Sequence, residues 1–234
     1  MTTVTALSNS QIMRAKIRLT SGAQYAAFDS FWARDDLAHV APAFLVLLNQ
    51  ITRASVPLMA EARDICAARR DDAPLYAALE TYYAKHVPEE QDHDLWTLDD
   101  LEAAGFDRAA ILKMTPLPAV ASLVGAQYYW IHHHHPVMLL GYIALLEGSP
   151  PDPNFVDWLE ENAGLPTEAW RTYRFHGEVD PNHLKDLDDA VDAMPLTRHD
   201  MSLINISAMH TADALARCVE TLDASDAPPR AGHG

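Results

Sequence analysis

Residues Met201–Leu222 read MSLINISAMHTADALARCVETL. Apolar side chains return there every three or four positions, so one stripe can face a core while the polar positions face water, the pattern of a long amphipathic helix. The same period runs upstream through most of the chain. Asp152–Asn162 stops at Gly164, and Val137–Glu147 is closed by Gly148-Ser149-Pro150-Pro151. Val120–Ile131 is a further helical stretch, and Thr167 caps a segment running to Phe175. Leu95, Leu98 and Leu101 recur at helical spacing and end at Gly105, while Leu75, Leu79, Tyr82 and Tyr83 do the same before them. Ala41–Leu48 follows Asp35-Asp36, and its stripe resumes after Pro57 at Leu58, Ile65 and Cys66. No stretch alternates with period two between hairpin turns, so strands are not expected. The reading is an all-α bundle of about eight to ten helices with short connections. It forms one domain over 1–225, followed by a Pro-, Gly- and Ala-rich tail, 226–234, read as disordered.

The chain has 234 residues, with 17 Lys plus Arg against 33 Asp plus Glu and a net charge of −16. Such an acidic balance opposes nucleic-acid backbones and anionic membrane surfaces, because like charges repel. Only two cysteines, Cys66 and Cys218, are present. Both fall in helical stretches and are read as buried thiols in a reducing compartment. Met1–Ser10 lacks a basic region followed by an apolar run, and the apolar stretch around Val137–Leu146 is too short for a span of about 20 residues. A cytoplasmic protein is therefore expected, with a small-molecule substrate and neither nucleic acid nor membrane as partner.

Two clusters among the twelve histidines carry ligand spacing. In His86-Val-Pro-Glu-Glu-Gln-Asp-His93, Glu90 and His93 lie three apart, as neighbours on one helical face would. His86 can join that face unless Pro88 starts the helix, and Glu89 competes with Glu90. In His176-Gly-Glu-Val-Asp180-Pro-Asn-His183, positions i, i+4 and i+7 share a narrow face, and two imidazoles with one carboxylate suit iron, manganese or zinc. Glu147 closes an otherwise apolar helix, where a buried carboxylate is costly unless a cation meets it. Each group taken singly is ordinarily a solvated or hydrogen-bonded side chain. Three such features in one small helical domain would otherwise require a buried polar network without an ion, which is expensive. The run His132–His135 is read as a helix end, because consecutive side chains diverge. Tyr128-Tyr129-Trp130 is read as core, and Asp99, Asp100 and Glu102 as a solvated face.

Glu90-x2-His93, Glu147 in a Gly-Tyr-x4-Glu-Gly context, and His176-x3-Asp180-x2-His183 together resemble the haem-oxygenase-like diiron oxidases and oxygenases, a group of iron-containing redox enzymes. The resemblance covers about Leu75 to Asp189 and implies the compact haem-oxygenase-like helical bundle, shared with thiaminase-II and pyrroloquinoline-quinone synthase. By position it implies His93, His176, Asp180 and His183 as ligands, with Glu90 and Glu147 as terminal or bridging carboxylates. The family's further Glu from an earlier helix has no match in Thr52–Met59; Glu61 and Asp64 fit poorly, and His86 is the substitute from the other side.

The resemblance implies one or two Fe ions, dioxygen as cosubstrate, and oxidation of a small organic molecule such as an amino acid or fatty acid derivative. It makes a homodimer plausible. Two alternatives stand beside it: a metal-free thiaminase-II-like hydrolase, which needs Cys66 or Cys218 as nucleophile, and a non-catalytic metal- or partner-binding bundle.

Overall fold

The computed structural model describes residues 6–148 and 150–232. Among these the regular structure is helical, with one isolated bridge between Phe106 and Arg230. In chain order the helices are α1 (Asn9–Thr20), α2 (Gly22–Trp32), α3 (Leu37–Ala68), α4 (Pro74–Glu89), α5 (His93–Ala103), the single turn α6 (Arg108–Ile111), α7 (Pro118–His133), α8 (Leu139–Leu146), α9 (Pro153–Asn162), α10 (Arg171–Ala193) and α11 (Arg198–Glu220). One buried core runs from Met13 on α1 to Leu222, just beyond α11.

Two long helices form the spine. α11 is the stretch that opened the sequence reading. Thr197 caps it in a reciprocal box with Asp200, satisfying donors the first turn leaves unpaired. It packs against α8, α2, α7 and α1. α3 packs against α4, α5 and α7. It is a single helix of 32 residues that carries the apolar stripe on past Pro57. Pro57 lies on the exposed face, where the carbonyl it leaves without an amide partner can meet water. α3 is also long and apolar enough to cross a membrane, but 61% of its most apolar window is buried in the protein, as in a core helix.

The expected stop at Gly105 is a Schellman turn. Gly105 adopts φ +86°, its N–H donates to Glu102 O, and the Phe106 N–H donates to Leu101 O. α8 and α11 approach closely at Gly141, where an added Cβ would lie 2.1 Å from the Ile204 carbonyl oxygen. Only glycine allows that contact, and it sets where Glu147, just past the end of α8, arrives.

Three surface readings change. The tail read as disordered is placed as far as Gly232: the Asp107 N–H donates to Pro229 O, the Ala231 N–H donates to Gly105 O, and the Arg230 guanidinium sits 4.9 Å from the Phe106 ring centre. Residues 233–234 lie outside the described residues, as does Ser149 of the expected closing turn after Glu147. Tyr129 is 63% exposed, whereas Tyr128 and Trp130 pack against the core. Asp99 and Glu102 are solvated beside Arg108, but Asp100 is buried. It accepts from the Thr172 N–H at 2.8 Å and from Arg171 Nε at 3.1 Å, and so caps the first turn of α10 from another helix.

Candidate metal centre

The first cluster does not lie on one helix. α4 ends at Glu89, Glu90 is its cap residue, Asp92 takes the left-handed conformation at φ 70°, and α5 begins at His93. Pro88 is in the last turn of α4, so His86 is helical and stands one turn before Glu90. The left-handed residue folds the chain so that Glu90 and His93 still meet, with His93 Nδ1 3.0 Å from Glu90 Oε2.

The second cluster lies on α10, which runs through Pro181 as one helix. His176 Nδ1 is 2.9 Å from Asp180 Oδ1, and His183 Nδ1 is 3.8 Å from the same oxygen. Glu90 links the clusters: its Oε1 is 3.3 Å from His183 Nδ1. Glu147 enters from the end of α8 and meets His86 Nε2 at 2.8 Å.

Two sets of ligand atoms result, each gathered within 4.8 Å. One comprises His86, Glu90, Glu147 and His183; the other comprises Glu90, His93 and His176. Glu90 belongs to both, with one oxygen toward each, the arrangement of a bridging carboxylate. Asp180 is buried between His176 and His183 and lies outside both sets. Glu89 holds the other ring nitrogen of His86 at 3.0 Å, which orients that imidazole. Glu61 is on the surface, 3.5 Å from His132. Where the resemblance expected a carboxylate from α3, that helix presents Thr52 and Ser55 to the adjoining cavity.

The electrostatics favour positive charge here. Burial alone would lower the His86 imidazole, but the hydrogen bond and charge of Glu147, with Glu89 and Glu90, carry it up to about 9. His176 is likewise raised: burial opposes, and Asp180 outweighs it with help from Glu90 and Glu147. Burial lifts the Glu147 carboxyl above its ordinary range against the pull of His86. Glu90 is held low despite burial, by His93 first and then His176 and His86. Crowded carboxylates thus draw protons onto their neighbours, a role that a cation fills directly. Glu90 Oε1, Glu147 Oε2 and His183 Nδ1 are buried without a hydrogen-bond partner. Such orphaned lone pairs are costly, and a metal ion would satisfy all three.

Sequence reasoning missed Tyr82. It is buried, stacks on His86 at 5.6 Å, and its hydroxyl is raised by burial and then by Glu147, Glu89 and Glu90. Its position four residues before His86 on the same helix was the available signal. The four-histidine run lies away from both ligand sets, with His132, His133 and His134 exposed at the end of α7.

A cavity of about 460 Å³ opens beside the centre, lined by Glu90, Glu147, His176 and Asp180 and walled by Phe44, Leu47, Ile51, Leu139 and Tyr173 among others. That volume is typical of small-molecule sites. Neither Cys66 nor Cys218 lines it. Both are buried, and burial pushes their thiols up to about 12 and about 11.

Three comparisons set this geometry among known proteins. A family model described as an iron-containing redox enzyme matches residues 43–216. Among solved structures, a domain of unknown function with a heme oxygenase-like fold from Shewanella denitrificans OS217 superposes with a TM-score of 0.67. It shares 19% sequence identity, over 90% of this chain and 87% of that one, a likeness that establishes the haem-oxygenase-like fold. No curated protein matches the chain.

Proposed function

The chain belongs to the family of iron-containing redox enzymes, and from that membership we propose that it is a non-haem oxidase or oxygenase holding iron at two positions that share Glu90. The observation that carries this reading is the pair of ligand sets meeting at one carboxylate, with buried lone pairs on Glu90, Glu147 and His183 left without partners. Mixed imidazole and carboxylate ligation suits iron. Iron so bound supplies the one-electron chemistry with dioxygen that amino-acid side chains lack.

The protein's own contribution is position and exclusion. His86, Glu147 and His183 define one position and His93 with His176 the other, while Glu89 and Asp180 hold the rings of His86 and His176 by their second nitrogens. The apolar cavity wall receives an organic substrate next to the centre and keeps bulk water away. The thiol-dependent hydrolase alternative finds no cysteine on that wall.

Oxygen uptake tests the reading. Protein loaded with Fe(II) under argon and then mixed with air-saturated buffer should consume dioxygen, and His176→Ala should consume far less. Uptake equal in the two proteins would remove His176 from the centre, and no uptake from either, with candidate substrates present, would leave a non-catalytic iron protein.

A further inference from the structure

The cavity beside the centre carries information about the charge of its ligand. Among the described residues that line it there is no lysine or arginine. Arg14, which reaches the end of α8, is committed to Asp188 and to the Ala144 carbonyl. At the solvent-exposed mouth of the cavity the charged groups are both carboxylates, joined by the Tyr25 hydroxyl. Asp29 and Asp152 both line it and are exposed to solvent. Asp152 uses Oδ1 to cap α9 through Asn154, which leaves its other oxygen, and Asp29 has no ion pair among the described residues. Gln24 lines the same space one turn before Phe28 and is 9% exposed. Its side-chain oxygen is buried without a hydrogen-bond partner. A cation that donates hydrogen bonds answers both carboxylates and the Gln24 oxygen together.

Aromatic rings complete the arrangement. Asp29 lies one turn from Trp32, and Asp152 one turn from Phe155. The two rings meet edge to face at 5.4 Å, each one turn from its carboxylate. Carboxylates beside aromatic faces are the surroundings in which ammonium groups are recognised. From there a row of rings leads inward. Trp32 meets Phe44 at 4.6 Å, Phe44 meets Tyr173 at 6.0 Å, and the Asp180 charge bears on Tyr173.

We propose that this cavity takes an amine with an apolar body. Its ammonium is held at the mouth by Asp29, Asp152 and the Trp32 and Phe155 faces, and its apolar chain points toward Glu90 and His176. The proposal rests on reading the cavity as the substrate chamber. It disfavours a free carboxylic acid, which would meet two carboxylates and no cation.

Calorimetric titration of the full Fe(II)-loaded chain under argon with decylamine, decanol and decanoate tests it. Decylamine should bind about tenfold or more tighter than decanol, roughly 1.4 kcal/mol, with decanoate weakest. In the double variant Asp29→Asn, Asp152→Asn the amine preference should fall to within about threefold, since asparagine keeps the cap of α9. Decanoate binding as tightly as decylamine would overturn the proposal, as would an amine preference that survives the double variant. Binding of none of the three would also overturn it. Iron content read on the same samples keeps that failure separate from failure of the metal centre: iron retained without ligand binding removes the chamber alone. An amine preference seen in a chain that holds no iron upholds the chamber and removes the centre.

Discussion

Glu90 is the residue on which the site turns. It caps α4, faces His93 through one oxygen and His183 through the other, and is the member common to both ligand sets. Glu89, its neighbour and rival in the sequence, instead holds Nδ1 of His86. The two carboxylates therefore predict different losses. Glu90→Gln should remove most bound iron, because it takes a ligand from both positions. Glu89→Gln should keep the iron stoichiometry but weaken affinity by about 10- to 100-fold, the usual effect of removing an orienting partner. Competition with a graded chelator distinguishes them, and equal loss in both variants would contradict the assignment. Ligand spacing is local, so the sequence singled out His93, His176 and His183, and the fold brings each into one of the two candidate sets. The sequence named Glu90 with Glu89 as competitor, and the left-handed turn at Asp92 that separates their roles carries no glycine to announce it. Asp180 was expected as a ligand beside the two histidines, and the ligand sets form without it.

At the scale of the element, most helices followed from period and stop signals, and the exceptions share a cause. The sequence carried the apolar stripe past Pro57, but the exposed face that lets one helix tolerate the proline is a fact of tertiary placement that a local signal cannot hold. Asp100 was read as solvated with Asp99 and Glu102, yet it caps α10 from 72 residues away. Gly141 belongs to the same class of long-range constraint. Its hydrogen faces the Ile204 carbonyl, and α8 carries Glu147 at its far end. Gly141→Ala should destabilise the protein by about 1–3 kcal/mol through overpacking and should lower iron affinity, because α8 must shift away from α11. Urea unfolding with parallel iron titration measures both. An alanine variant as stable as the parent would mean that the two helices accommodate a methyl group there.

For the whole molecule, acidity sets a stability limit that can be traced away from the centre. His135 accepts the Val137 N–H through Nδ1 at 3.0 Å and stacks on Tyr76 at 4.9 Å, which requires a neutral ring. Burial pushes its pKa below the ordinary 6.5, with Arg69, His134 and His199 adding to the effect and Asp200 opposing. His210, against Trp130, is lowered by burial as well. Below the unfolded value of 6.5 these two rings take up protons in the unfolded chain that the folded chain refuses, so the stability they contribute is full above that pH and is lost as pH falls beneath it. His135→Asn should flatten the decline between about pH 6.5 and 5 in denaturant titrations of the iron-free protein. An unchanged slope would place the acid sensitivity elsewhere. At this scale the sequence made the all-α class legible through a period repeated along the chain, and the haem-oxygenase-like bundle through the resemblance its His and Glu motifs carry. The packing of residues 226–232 against Gly105–Asp107 was not, because tail composition reports local flexibility and says nothing of a docking partner.

Iron counting tests the central claim of two positions sharing Glu90. After anaerobic Fe(II) loading and desalting, the parent should retain about two irons per chain. His176→Ala should retain about one, because His86, Glu90, Glu147 and His183 survive intact as a set. One iron or fewer in the parent, or a content that His176→Ala leaves unchanged, would contradict the account.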